Sequence, residues 1–377
     1  MVNMNHIASR EVVIIGGGIV GCATAYYLGK KGVKATIIER DNFAGHASGF
    51  ALGELRPLVG AGIPDPMGLL SLESFRLHMN LSDELIEETN VNTDFQLHTW
   101  ITAAYSEKEA IAMKSTLAWQ QAQEGFDVEW MEENDVLSLE PRLKPGLVGG
   151  IVTRPVALLD PYKLSLALLQ ASEHMGTTTR HGLVDGVEFR GDEVTAVRIG
   201  EEKISCDAVV VAMGPWSGNV SSWVNVKVPV EPLKGQILWL DAGNASSMVV
   251  SWGNGYAVSK PDGLVWIGTT EELVGFSESP TIEGRDAIME SVLSVLPHLN
   301  DASLVYQTSC LRPVSPDRLP ILGLVPNKKG MVIATAGGRK GIHLGPIMGR
   351  IAADLVLQGE TEFDISALAL DRFGAGG

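Results

Sequence analysis

One run near the start of the chain constrains the fold more than any other. Glu11-Val-Val-Ile-Ile-Gly16-Gly-Gly18-Ile-Val-Gly21 is an apolar strand that runs directly into a glycine-rich turn. Val20 to about Lys31 reads as a helix, and Ala35-Thr-Ile-Ile-Glu39 as a second apolar strand that ends in an acid. Strand, turn, helix, strand and acid in this order form the unit that binds a dinucleotide. Gly16 permits the tight turn, Gly18 lets backbone approach a pyrophosphate at the positive end of the helix, and Gly21 lets the helix pack close to the strands. Glu39 stands where a carboxylate accepts hydrogen bonds from a ribose, and its charge would repel a 2′-phosphate. The glycines alone do not separate a nicotinamide from a flavin dinucleotide.

The chain of 377 residues is too long for one simple core and implies two domains in close contact. A net charge of −16 repels phosphate backbones and anionic membrane surfaces, so nucleic acid is not an expected partner. Val12 to Leu28 is apolar but carries four glycines, which a strand–turn–helix explains and a membrane span does not. Cys22, Cys206 and Cys310 are far apart and lie among apolar residues, so they predict free thiols rather than a disulfide framework, and no metal site. Met1 to Arg10 has no apolar segment of the kind a signal peptide uses; with the free thiols this predicts a cytoplasmic location.

Patterning predicts helices over Pro66–Glu88, Glu107–Gln123 with Ser106 as cap, and from Pro161 through Ala171 with Asp160 as cap. Further helices are predicted over Gly284–Leu296 and Ile342–Gln358. Strands are predicted at Phe95–Ala103, Gly146–Thr153, Val184–Phe189, Val194–Ile199 and the buried run Cys206–Met213. They continue at Gly235–Leu240, Met248–Trp252, Tyr256–Lys260, Leu264–Thr269, Val305–Arg312 and Gly330–Ala336. The predicted class is α/β (α+β): a Rossmann-type nucleotide-binding domain joined to a second, substrate domain built on a large mixed β-sheet. The first domain is expected to be discontinuous (10–85, 146–222 and 324–377), with 86–145 and 223–323 forming the second.

Five ordered segments carry a family resemblance. They are Gly16–Gly21 with Glu39, Ala47-Ser48-Gly49-Phe-Ala-Leu-Gly53, Val209-Val-Val-Ala-Met-Gly-Pro-Trp-Ser217, Pro232-Leu-Lys-Gly-Gln236, and a C-terminal group. That group contains Leu311-Arg312-Pro313, Asp317-Arg-Leu-Pro320 and Ala336-Gly337-Gly338-Arg339-Lys340-Gly341-Ile342. With them the chain resembles the FAD-dependent D-amino acid oxidase family, in the branch with glycine oxidase and sarcosine oxidase. The resemblance implies FAD, held noncovalently, with His46 an ordinary loop residue. It implies FAD contacts from Gly16, Gly18, Ile19, Val20, Glu39, Arg40, Ala47 and Ser48. Val187 is expected at the adenine, Gly214 near the ribityl chain or ring, and Trp216 among the cofactor-binding residues. Gly338, Arg339, Lys340, Gly341 and Ile342 are expected at the flavin edge where negative charge develops, with Lys340 stabilising that charge.

The resemblance also assigns Arg312 to the substrate carboxylate through two parallel hydrogen bonds, and Tyr256 to the substrate's surroundings. His343 is expected to be structural. The implied reaction is oxidation of a small amino acid or N-substituted amino acid at the Cα–N bond, giving an imine that water hydrolyses to a 2-oxo acid and an amine. Electrons would pass to O2 or to a partner or quinone, the latter as the catalytic subunit of an amino acid, opine or hydroxyproline dehydrogenase. A 2-hydroxy acid substrate, which would want a histidine base, and the oligomeric state stay open.

Overall fold

The computed structural model describes residues 11–243 and 249–374. Two large sheets dominate it. The nucleotide sheet has six strands in the order 321–324, 331–335, 208–211, 12–15, 35–39 and 178–181. All its pairings are parallel except the outermost, where Ile321–Leu324 runs against Met331–Thr335. Every residue of Val12–Ile15, Ala208–Val211 and Met331–Thr335 is buried, as strands covered on both faces require. Helices Ile19–Lys30, Pro161–His174 and Gly341–Gln358 cover one face. A three-stranded antiparallel sheet over 186–205 and the turns after Gly214 cover the other.

The first and last of those helices meet through small residues. A side chain added at Gly345 would strike Ile19, and one at Gly349 would strike Ala23. Backbones therefore approach closely along one line, and both helices point their amino ends at the same edge of the sheet.

The second sheet has nine strands, ordered 303–314, 231–241, 265–268, 255–259, 249–252, 96–104, 149–158 and 54–55, with 127–131 also paired to 149–158. It is mixed: Val249–Trp252 runs parallel to Gln96–Ala104 and the other pairs are antiparallel.

Several elements differ from the pattern reading. The helix expected over Glu107–Gln123 is two, Glu107–Lys114 and Leu117–Gln121. Ser115 and Thr116 break it; their hydroxyls donate to the carbonyls of Ala112 and Met113 three residues back, in competition with the helix. The strand expected from Gly146 spans Gly149–Leu158 and belongs to the large sheet, as does Glu54–Leu55, although both lie in segments assigned to the nucleotide domain. Ile321–Leu324, assigned across the boundary, belongs to the nucleotide sheet. Alternating or apolar runs reveal a strand but not its sheet. Met248 lies outside the described residues. The cap at Asp160 is as expected: its carboxylate accepts from Lys163 N at 3.0 Å, with Pro161 opening the helix. Among the described residues no helix is long and apolar enough to cross a membrane.

Candidate active site

A long cleft runs along the carboxyl ends of the parallel strands, where doubly wound sheets bind ligands. It runs from Glu39 and Arg40 beside the first helix to Tyr256 and Arg312 on the second sheet. Its first wall is the glycine turn. Gly16 has φ +109°, and a side chain there would strike the Ala212 carbonyl. Gly21 lies against the Gly16 carbonyl with no room for a Cβ. The Ser48 hydroxyl accepts from Ile19 N at 3.0 Å, capping the helix from a distant segment while its own proton stays available. Glu39 accepts from Gly17 N (2.7 Å) and Asp41 N (2.9 Å), one amide per carboxylate oxygen, so each oxygen keeps a lone pair toward the cleft.

Further along, the Arg40 guanidinium lies 3.8 Å from the centre of the Trp216 ring. His46 faces two carboxylates, Asp41 at 2.9 Å and Glu278 at 3.4 Å. Thr335 donates to the Gly214 carbonyl (3.1 Å) and accepts from Ser217 (2.8 Å), which ties the Gly214–Trp216 turn to the adjacent strand.

The other end of the cleft is built on one face of the large sheet. Directly opposed residues share a face. Leu233–Arg312, Gly235–Cys310, Ile237–Gly268, Gly268–Tyr256 and Tyr256–Ser251 are such pairs, so Arg312, Cys310, Ile237 and Tyr256 converge on one surface. All four line the cleft. The Arg312 guanidinium lies flat on Gly235, where any side chain would strike it. Arg312 donates to the Thr270 carbonyl (3.0 Å) and the Thr269 hydroxyl (2.7 Å). No carboxylate pairs with it among the described residues. Tyr256 is buried, its hydroxyl under Gly268, and burial pushes its ionisation well above the usual phenol range.

Gly337, Gly338, Arg339, Gly341 and Ile342 close this end of the cleft. Arg339 pairs with Glu271 (3.3 Å) and donates to the Asn254 carbonyl (3.3 Å).

Residues 11–355 match the FAD dependent oxidoreductase family, DAO. The chain belongs to this family. It is 28% identical to a glycine oxidase of Pseudomonas putida over 94% of this chain and 97% of that one. It is 26% identical to the glycine oxidase of Bacillus subtilis over 96% and 97%. The crystal structure of glycine oxidase from Geobacillus kaustophilus superimposes with a TM-score of 0.90 at 27% identity, covering 97% of this chain and 99% of the other. The DAO protein described here is thus a FAD-dependent oxidoreductase.

The cleft fits FAD. It has a side-chain-free turn at a helix amino end for the pyrophosphate, a carboxylate with spare lone pairs for the ribose, and a second helix amino end, at Gly341, at the end of the cleft that Arg312 lines. Gly16, Gly18, Ile19, Val20, Glu39, Arg40, Ala47, Ser48, Gly214 and Trp216 line it, as do Gly338, Arg339, Gly341 and Ile342.

Two expectations need correction. Val187 does not line the cleft; Gly182, Leu183 and Val184 do. Val187 is already inside strand Gly186–Arg190, packed against the core behind the nucleotide sheet, whereas 182–184 form the connection that crosses the sheet edge. Lys340 also lies outside the lining. Its amine donates to the Arg56 carbonyl and its chain packs against Gly60, because the short turn Gly338–Lys340 rotates it away. Burial lowers its pKa to about 7. His343 is structural as expected, its Nε2 at 2.9 Å from both the hydroxyl and the carbonyl of Ser71.

The lysine has a consequence for stability. Its ordinary pKa is 10.5, so between about pH 7 and 10.5 the unfolded chain binds more protons at this position than the folded one. The cost of the buried amine is full below pH 7 and vanishes above 10.5, so this group makes stability rise with pH across that window. Lys340→Met is expected to flatten the rise, seen as urea midpoints that differ less between the two ends of the window than in the parent.

Pattern reading missed Glu54, Thr269, Thr270 and Glu271. Glu54 lines the cleft and has no ion-pair partner among the described residues; it follows Gly53, the last residue of a recognised segment, and that adjacency was its only signal. Thr269 was the last residue of the strand expected over Leu264–Thr269 and the other two follow it, but nothing in their spacing says which arginine they meet.

Proposed function

We propose that this DAO enzyme oxidises a small amino acid or N-substituted amino acid at the Cα–N bond, with release of a 2-oxo acid and an amine after hydrolysis of the imine. The observation that carries this reading is Arg312, a guanidinium in the cleft held only by neutral oxygens. Two of its five N–H groups are used, so three remain for a carboxylate. Fixing the carboxylate sets the direction of the Cα–H bond, which supplies the proximity and orientation that such a reaction needs. Glu54 supplies a carboxylate for the substrate nitrogen, and Tyr256 closes the pocket against water. The residues above would hold FAD, which would supply the two-electron acceptor for the hydride. The relatives named glycine oxidase support the substrate class.

An amine is favoured over a 2-hydroxy acid by the histidines. His343 is bound to Ser71 outside the cleft lining, and His46 lines the cleft beside Trp216, on the segment after Glu39 rather than on the sheet face that carries Arg312 and Tyr256. The test is anaerobic bleaching of the yellow protein by glycine, sarcosine, D- and L-amino acids, proline derivatives and 2-hydroxy acids, followed by air. Bleaching by an amine is expected; bleaching by hydroxy acids alone would overturn the reading. Fast recolouring with peroxide identifies O2 as acceptor, and slow recolouring a protein or quinone partner.

A further inference from the structure

Two arginines face the substrate end of the cleft, Arg312 and Arg339, and one three-residue segment touches both. Thr269 and Thr270 hold Arg312 through a hydroxyl and a carbonyl. The next residue, Glu271, holds Arg339 through a carboxylate at 3.3 Å. The difference is one of charge. Neutral acceptors orient a guanidinium and leave its full charge for a ligand. A carboxylate cancels that charge and takes the geometry a second carboxylate would need. Arg339 is further occupied by the Asn254 carbonyl at 3.3 Å. The side chains of Arg339 and Glu271 keep 35% and 27% of their exposure, so the pair adds little to stability, and its effect falls on the ligand.

We infer that Glu271 is a specificity-determining residue: by occupying Arg339 it limits the substrate end of the cleft to ligands with a single carboxylate, which goes to Arg312. A second carboxylate on the same ligand meets a neutralised arginine and the like charge of Glu271. The inference rests on the reading of Arg312 as the carboxylate anchor.

The test compares the FAD-loaded parent with Glu271→Gln, using dissociation constants of propionate and succinate measured by calorimetry and by flavin difference spectra. Glutamine keeps the shape and a hydrogen-bonding oxygen but loses the charge. Removing a like charge from a rim position is expected to tighten succinate about tenfold and propionate less than threefold. Adding Arg339→Met to Glu271→Gln is expected to abolish the gain. Equal tightening of both ligands, no tightening of succinate, or a gain that survives Arg339→Met overturns the inference. Failure of the underlying reading looks different: Arg312→Lys would then leave propionate binding in the parent unchanged.

Discussion

Arg312→Ala is expected to lower kcat/KM for the amine that bleaches the flavin by about 10²–10³, with FAD still bound. Removing one partner of a desolvated, hydrogen-bonded charge pair costs about 2–5 kcal/mol, and each 1.4 kcal/mol is tenfold. The loss should fall chiefly on KM, because the anchor acts on the substrate carboxylate before and during reaction. Arg312→Lys should recover only part, since an ammonium has no planar fork. Gly235 gives an independent route to the same defect. Any side chain there strikes the guanidinium, so Gly235→Ala should displace Arg312 and raise KM with the arginine still present. The two changes act on one group, so the double variant should be no worse than Arg312→Ala alone. Steady-state kinetics with flavin absorbance as the loading control decides it; an unchanged KM in Arg312→Ala would remove the residue from the site.

Gly21→Val is expected to yield protein without FAD. The glycine lies against the Gly16 carbonyl at the heart of the turn, so the valine must push the helix off the strand and spoil the pyrophosphate cradle. Overpacking of this kind costs about 1–3 kcal/mol in the fold, and the cradle shifts with it. Gly32→Ala is the control. Gly32 has φ +77°, so alanine there strains the backbone locally, but nothing lies within 4 Å and the turn is untouched, so the yellow colour should persist. Flavin content per chain and far-ultraviolet circular dichroism separate loss of cofactor from loss of fold. A yellow Gly21→Val protein would contradict the close packing described here.

The sequence made the nucleotide half readable because its signals are local. The turn glycines, the acid at Glu39 and the cap at Asp160 work within a few residues. The boundaries were less legible because sheet membership depends on distant pairing: Gly149–Leu158 looks like any buried strand until Gln96–Ala104 lies beside it. The same limit governs the site. Arg312 stood out through its neighbours Leu311 and Pro313, whereas Glu271 has meaning only through Arg339, 68 residues away. Lys340 was misplaced for the opposite reason: adjacency to lining residues suggested a direction that a single tight turn reverses. Polar edge strands such as Thr178–His181 carry too little apolar contrast to register at all.

The seating of Gly345 on Ile19 and Gly349 on Ala23 bears on biosynthesis. The helix that cradles the pyrophosphate is made first, but the partner that fixes its tilt and completes the cleft comes from residues 331–358. A ribosome-bound chain that has emerged only through the large sheet has half a cofactor wall and an open apolar stripe along its first helix. Completing the cofactor wall therefore requires the last helix, and until Gly341–Gln358 packs on it the first helix leaves that stripe uncovered.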